Sequence, residues 1–140
     1  MITFLKPEEQ HQHKNGGGWV ANTVIIDDSV YVAPNAQVYG YARVSGNAQV
    51  FGNAQVFGDA QVFGDARVSG NAWVETPLFI QGTQHGISNS KHGYLSIGCI
   101  TLTFAEWKKQ FRAIGKREGY TAAQIKEYGA IIALATKIGR

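Results

Sequence analysis

From Val20 to Ile80 a branched aliphatic residue recurs every six positions without a slip: Val20, Ile26, Val32, Val38, Val44, Val50, Val56, Val62, Val68, Val74 and Ile80. Two residues before each stands a small or aliphatic partner: Gly18, Val24, Val30, Ala36, Ala42, Ala48, Ala54, Ala60, Ala66, Ala72 and Leu78. Chance does not hold such a register, and repeats of this kind decide a fold before any other feature. A spacing of two puts both positions on one face of an extended strand, so the pair points inward together. Gly40, Gly46, Gly52, Gly58, Gly64 and Gly70 then fill corners, with Asn47, Asn53, Asp59, Asp65 and Asn71 next to them. Glycine, Asn and Asp tolerate the positive φ that a sharp corner demands. Three such sides close a triangular coil, and coils stack at about 4.8 Å by backbone hydrogen bonding. Residues 18–82 then make about three and a half coils, roughly 17 Å tall, with Val38, Val56 and Val74 stacked along one inner wall.

The pattern resembles the hexapeptide repeat of left-handed parallel β-helix proteins over residues 18–82. The left hand is what the resemblance implies, because the general preference for right-handed crossovers argues the other way. The register and the N-G-G-G-W-V entry at 15–20 are also similar to β-helix proteins of enterobacterial prophages, YdcK-like proteins among them. The expected fold is therefore mainly β: a left-handed parallel β-helix followed by a C-terminal α-helical hairpin. Residues 1–17 form an N-terminal cap segment, 18–82 the coils, and 83–140 a strand plus the hairpin.

Positions eighteen apart share a wall. Tyr39 falls beneath Phe57 on one wall, while Phe51 and Phe63 occupy the other two at the level of Phe57. Outward aromatic rings favour a covering partner. In the resembled family that partner is often a second and third copy, so Tyr39, Phe51, Phe57, Phe63, Trp73 and Phe79 are the expected interface of a homotrimer, with a dimer as the alternative.

Beyond Gly82 the repeat stops. Gly86 to Cys99 reads as loop and short strand, with Leu95 and Ile97 in alternation. Thr103 opens T-F-A-E, a capping box, and Phe104, Trp107, Phe111 and Ile114 follow at helical spacing. Gly119 ends that helix, and T-A-A-Q at 121–124 starts another with Ile125, Tyr128, Ile132 and Ala135 on one side. The end of a β-helix exposes unpaired backbone, so a lid is the plain role for this hairpin.

Charge is divided unevenly. Residues 1–82 carry four Lys or Arg against seven Asp or Glu, and residues 83–140 carry nine against three, giving −3 and +6. Lys108, Lys109, Arg112, Lys116 and Arg117 fall largely on the helix side opposite Trp107 and Phe111. They are either a solvated face or a contact for nucleic acid or an acidic protein surface.

Composition bounds the rest. Hydrophobics at 44% and charged residues at 16% mark an ordinary globular chain rather than a disordered one. Cys99 is alone, the first residues are too acidic for a signal peptide, and no stretch is long and apolar enough for a membrane span. A cytoplasmic protein is expected, in a host cell if phage-encoded.

Enzymes on the resembled fold are chiefly acyltransferases and γ-class carbonic anhydrases. The anhydrases need wall histidines for zinc, yet residues 18–82 contain none: His11, His13, His85 and His92 all lie outside. The acyltransferases interrupt the coils with a loop bearing a catalytic histidine, and here the repeat is unbroken. His85 or His92 with Cys99 could form a base and thiol pair, and His11 with His13 a weak metal motif. The expectation is a non-catalytic binding protein of prophage type that needs no cofactor or metal. It engages a host protein or protein–nucleic-acid complex, with inhibition of a defence system of the anti-CRISPR kind as one use. A small acyltransferase and a phage structural or assembly component are the alternatives.

Overall fold

The computed structural model describes every residue from Met1 to Arg140. In chain order its strands are β1 (Gln10–Gln12), β2 (Trp19–Ala21), β3 (Ile25–Ile26), β4 (Tyr31–Val32) and β5 (Gln37–Val38). They continue as β6 (Arg43–Val44), β7 (Gln49–Phe51), β8 (Gln55–Val56), β9 (Gln61–Val62), β10 (Arg67–Ser69) and β11 (Ala72–Trp73). Then come β12 (Phe79–Gln81), β13 (Gly86–Lys91), β14 (Tyr94–Ile97), β15 (Ile100–Thr103), α1 (Phe104–Arg117) and α2 (Ala122–Ile138). The chain divides into two compact units, Met1–Pro77 and Leu78–Arg140.

In the first unit every third strand joins the same parallel sheet: β2–β5–β8–β11, β3–β6–β9 and β4–β7–β10 form three walls. Val38 lies opposite Val56, Val44 opposite Val62, and Val50 opposite Val68, so the pairing step is eighteen residues, as the repeat requires. Backbone bonds such as Gln37 N–H to Ala54 O (3.0 Å) and Arg43 N–H to Ala60 O (2.9 Å) join coil to coil. This is a parallel β-helix. Ala36, Ala42, Ala48, Ala54 and the valines from Val32 to Val68 are sealed inside. Each buried valine contributes about 1.5–3 kcal/mol by leaving water.

Corners such as Phe51–Ala54 are closed by a bond from the fourth residue's N–H to the first residue's carbonyl. Glycine takes positive φ at the second place (Gly52, +61°), and no other residue type does anywhere in the chain. The expectation that Asn and Asp share this role is corrected: one left-handed residue per corner suffices, the pattern of a type II′ turn. Space gives a second reason for glycine. A Cβ on Gly40 would stand 2.9 Å from the amide nitrogen of Gly58 in the next coil.

The N-terminal segment is tied on by β1, which pairs antiparallel with β2. Buried Gln10 holds the turn before it, accepting from Ile2 N–H at 2.8 Å and donating to Ile2 O at 3.0 Å. Ile2 is thereby buried completely.

The third coil breaks the register. Gln55 N–H bonds to Asn71 O and Phe57 N–H to Trp73 O, steps of 71 − 55 = 16 and 73 − 57 = 16, where Gln37 to Ala54 is a step of 17. One residue has been taken up at the corner, where Asn71 N–H bonds back to Ser69 O. A slip of one turns every side chain over. Trp73 accordingly lies opposite Val56 and is 2% exposed, whereas Val74, expected inside, is 54% exposed. Trp73 is therefore lost as an outward interface residue. Nor do Leu78 and Ile80 continue the coils, because β12 pairs antiparallel with β13.

In the second unit β12–β13–β14–β15 form an antiparallel sheet, tighter than the loop and short strand expected for 86–99. Two-residue loops at His92–Gly93 and Gly98–Cys99 turn its hairpins. Ile87, Leu95 and Ile97 pack with Trp107, Tyr128, Ile132 and Ala135 of the helices. Asn89, fully buried, donates to Lys91 O, Tyr94 O and Arg140 O, each at 3.0 Å. Both helices start on the expected capping boxes, with Thr103 accepting from Glu106 N–H and Thr121 from Gln124 N–H.

Two substitutions check the inner wall. Val56→Asp places an unpaired charge in the core and is expected to lower stability by roughly 3 kcal/mol or more; a melting temperature within a degree or two of wild type would overturn the inward assignment. Trp73→Ala is expected to cost about 3–5 kcal/mol while Val74→Ala stays within about 0.5 kcal/mol, and the reverse order in chemical denaturation would refute the slipped register.

Candidate functional site: a basic helix face and an apolar cavity

The helix α1 is oriented by its apolar side. Trp107 is buried and its Nε1–H donates to Leu95 O at 2.8 Å, while Phe111 and Ile114 pack beside it. The remaining face must point to water, and Lys108, Lys109, Arg112 and Lys116 are all exposed on it. None of these four takes a salt bridge; Arg112 lies over the ring of Phe111 at 4.8 Å. Arg117 differs, meeting Glu118 at 3.5 Å with both side chains largely solvated, a contact that contributes little. The face extends further than the sequence suggested. Gly129 of α2 lets Phe111 approach (an added Cβ would meet its ring at 2.7 Å), and the groove beside it is lined by Arg112 and Lys126. Lys126 was the missed member, and only the pairing of the two helices brings it in. At the start of α1, the backbone N–H and the hydroxyl of Thr103 hold the Glu106 carboxyl below the usual carboxylate range.

On the β-helix, Tyr39 and Phe57 stack nearly parallel (4°) at 5.0 Å, and Phe4 meets Tyr39 edge-on at 5.0 Å. Burial pushes the Tyr39 phenol above its ordinary value. Phe4 is nonetheless 65% exposed and Phe63 46% exposed, while Tyr39, Phe51 and Phe57 are half-buried. Phe79 is half-buried in the second unit, its ring against Gly86, where a Cβ would come within 2.7 Å.

The histidines separate. His11 Nδ1 bonds to Asn22 Oδ1 at 2.7 Å in the open, and His13 is buried with Nε2 donating to Val30 O at 2.8 Å. A spacing of two would put both on one face of a regular strand, but β1 ends at Gln12, and one imidazole stays in the open on Asn22 while the other is buried on Val30 O. His92 is exposed in the β13–β14 turn. His85 and Cys99, by contrast, line one cavity of about 70 Å³ with Ile97, Gly98, Ile100, Trp107, Phe111, Ile114, Ile125, Tyr120 and Tyr128. There His85 Nδ1 meets the Tyr120 hydroxyl at 2.6 Å. Tyr128 receives the Gln84 and His85 amides (3.0 and 2.5 Å) and donates to His85 O at 2.7 Å. The sequence spreads this cluster over 43 positions, and no local motif announced it.

Burial, then the neighbouring Tyr128 and the carboxylates Glu118 and Glu127, push the Tyr120 phenol up to about 12. Its proton is held more tightly folded than unfolded. The associated stability is therefore complete below about pH 10, the ordinary value, and is lost as pH rises toward 12. Absorbance titration of phenolate should show one late step near pH 12 that Tyr120→Phe removes. Persistence of that step in the variant would reassign it.

A family model described as the YdcK beta solenoid repeat matches residues 36–52 and 60–75. No curated protein and no solved structure matches the chain. The likeness lies entirely within the coils, and with the parallel walls it supports the plain statement that this is a β-helix protein.

Proposed function

We propose that the chain is a binding protein in which a β-helix carries a helical unit whose basic face engages an acidic host macromolecule, after the manner of small phage and prophage proteins. The observation that carries this reading is the row Lys108, Lys109, Arg112 and Lys116, exposed on one side of α1 without a salt bridge. An unbalanced row of cations attracts carboxylates or phosphates. Charge division supports it too: residues 78–82 are uncharged, so the units carry the −3 and +6 of the two sequence segments. A host protein or protein–nucleic-acid complex of the cytoplasm supplies the acidic surface, and blocking a defence complex, as anti-CRISPR proteins do, is the use this chemistry suits. We further read the coils as left-handed and of hexapeptide type, on the Ala-x-Val spacing and the family-model likeness.

No helix is long and apolar enough to cross a membrane. A homotrimer is the proposed assembly, because Phe51 and the 46% exposed Phe63 lie at the ends of strands of separate walls. A dimer would cover fewer walls.

Capture from host lysate with the Lys109→Glu, Arg112→Glu, Lys116→Glu triple variant tests the face. Capture should be abolished while the melting temperature moves by no more than about 3 °C, because exposed charges contribute little to stability. Wild-type affinity should fall steeply with added salt as screening shortens to about 8 Å. Undiminished capture by the triple variant would overturn the proposal. Light scattering at micromolar concentration should give three times 15.2 kDa, and the single-chain mass would sink the trimer. His85 at an apolar cavity is the one feature favouring an acyltransferase instead; acetyl transfer lost in His85→Gln would establish that reading.

A further inference from the structure

We propose that the groove between α1 and α2 seats an acidic amphipathic helix of a partner protein; this rests on the basic face as the contact surface and names what meets it. The groove owes its shape to two glycines. Phe111 lies against Gly129 and Ile125 against Gly115, where an added Cβ would stand 2.7 and 2.8 Å from those side chains. The two contacts run in opposite chain directions, so the helices are antiparallel. Arg112 and Lys126 flank the groove, over a bed that includes Ala122, Gly129 and Ala130. By the same register Lys108, one turn before Arg112, falls beside Ala133, one turn after Gly129, and Lys137 stands a further turn along α2. Lys108, Lys126, Ala130, Ala133 and Lys137 are all exposed.

The bed is thus small and apolar, and both banks are cationic. Nothing in the unit neutralises them. Its carboxylate side chains are Glu106, Glu118 and Glu127. Glu106 accepts from Thr103 N–H at 3.0 Å, Glu118 meets Arg117 at 3.5 Å, and Glu127 accepts from the Thr83 amide and hydroxyl at 2.8 and 2.9 Å. No salt bridge takes any of the five cations Lys108, Arg112, Lys116, Lys126 and Lys137.

An occupant must therefore bring apolar surface along its middle and carboxylates along both edges. An amphipathic helix does this when acids flank an apolar stripe. Its acids four residues apart lie about 6 Å apart along the axis, which is also the spacing of Lys108, Arg112 and Lys116. A nucleic-acid strand matches only half of the groove. Its phosphates would meet the cations and leave the alanines unmatched, and no ring is open to stack a base. Phe111 is already held against Gly129, with the Arg112 guanidinium 4.8 Å from its ring centre.

The probe is an end-blocked synthetic peptide of about 16 residues, roughly 24 Å as a helix, with leucine and alanine along one stripe and glutamate on both flanks. Fluorescence anisotropy of the labelled peptide, titrated with the whole chain at low salt, should show saturable, micromolar binding. A peptide of the same composition with its leucines scattered round the helix should bind at least about tenfold more weakly, as should single-stranded DNA of equal charge. Ala130→Gln with Ala133→Gln crowds the bed without changing charge. It should weaken the patterned peptide about tenfold and move the melting temperature by no more than about 3 °C. Equal binding of the scattered peptide would overturn the inference, as would full affinity in the crowded variant. DNA binding as tightly as the patterned peptide would overturn it and leave the basic face standing as the contact. Failure of every polyanion to bind would overturn both. The comparison among peptides and DNA uses the wild-type chain, so it decides the matter even if the variant folds poorly.

Discussion

Backbone hydrogen bonds that pair residues eighteen apart in successive coils are the constraint on which the N-terminal unit depends. They run along three walls at once, and each holds only if its neighbours keep the same count of residues per turn. Side chains then follow. An interior of alanine and valine is narrow enough to be filled by two side chains per wall, which interior packing demands. Corner glycines allow successive coils to approach with no side chain between them. Where the count changes by one, at Asn71, the interior accepts Trp73 instead of valine and the parallel pairing ends.

The second unit is organised differently, by a few long-range polar anchors. Asn89 gathers three carbonyls, Trp107 is pinned to Leu95, and Tyr128 serves both sides of His85. Hydroxyls of Ser90, Ser96 and Thr101 run across its strands at 2.6 Å steps. Fully satisfied networks of this sort specify one packing, because each member would be expensive if left alone. The fixed apolar side of α1 is what leaves its lysines and arginine facing water, so the basic face follows from the packing.

What could be read in the sequence follows from the range of the interactions. Walls, inner valines and both helix starts were legible because each depends on residues two, three, six or eighteen apart, patterns a linear reading detects. Capping at Thr103 and Thr121 is local and appeared as expected. Trp73 was misplaced because N-A-W-V keeps the Ala-x-Val spacing of the repeat; the slip arises in the backbone turn at Ser69–Asn71, which that spacing does not advertise. The strands from Gly86 to Thr103 were under-read because I-S-N-S buries polar groups that composition assigns to the surface. The cavity and Lys126 were missed for a third reason: their members meet only when two helices and a sheet close on one another.

The eighteen-residue step has a genetic corollary. Any segment cut between equivalent points, for example after Val38 and after Val56, removes one whole turn and rejoins strands that already share register. Unequal recombination among the near-identical N-A-Q-V-F-G and D-A-Q-V-F-G stretches, which lie six or twelve residues apart, would instead change the chain by one or two sides of a coil while keeping the inward and outward alternation. Helix length is in this sense a heritable dial that turns in clicks of one side, three to a coil, and the shortened turn at Asn71 is the stop at one end of its travel.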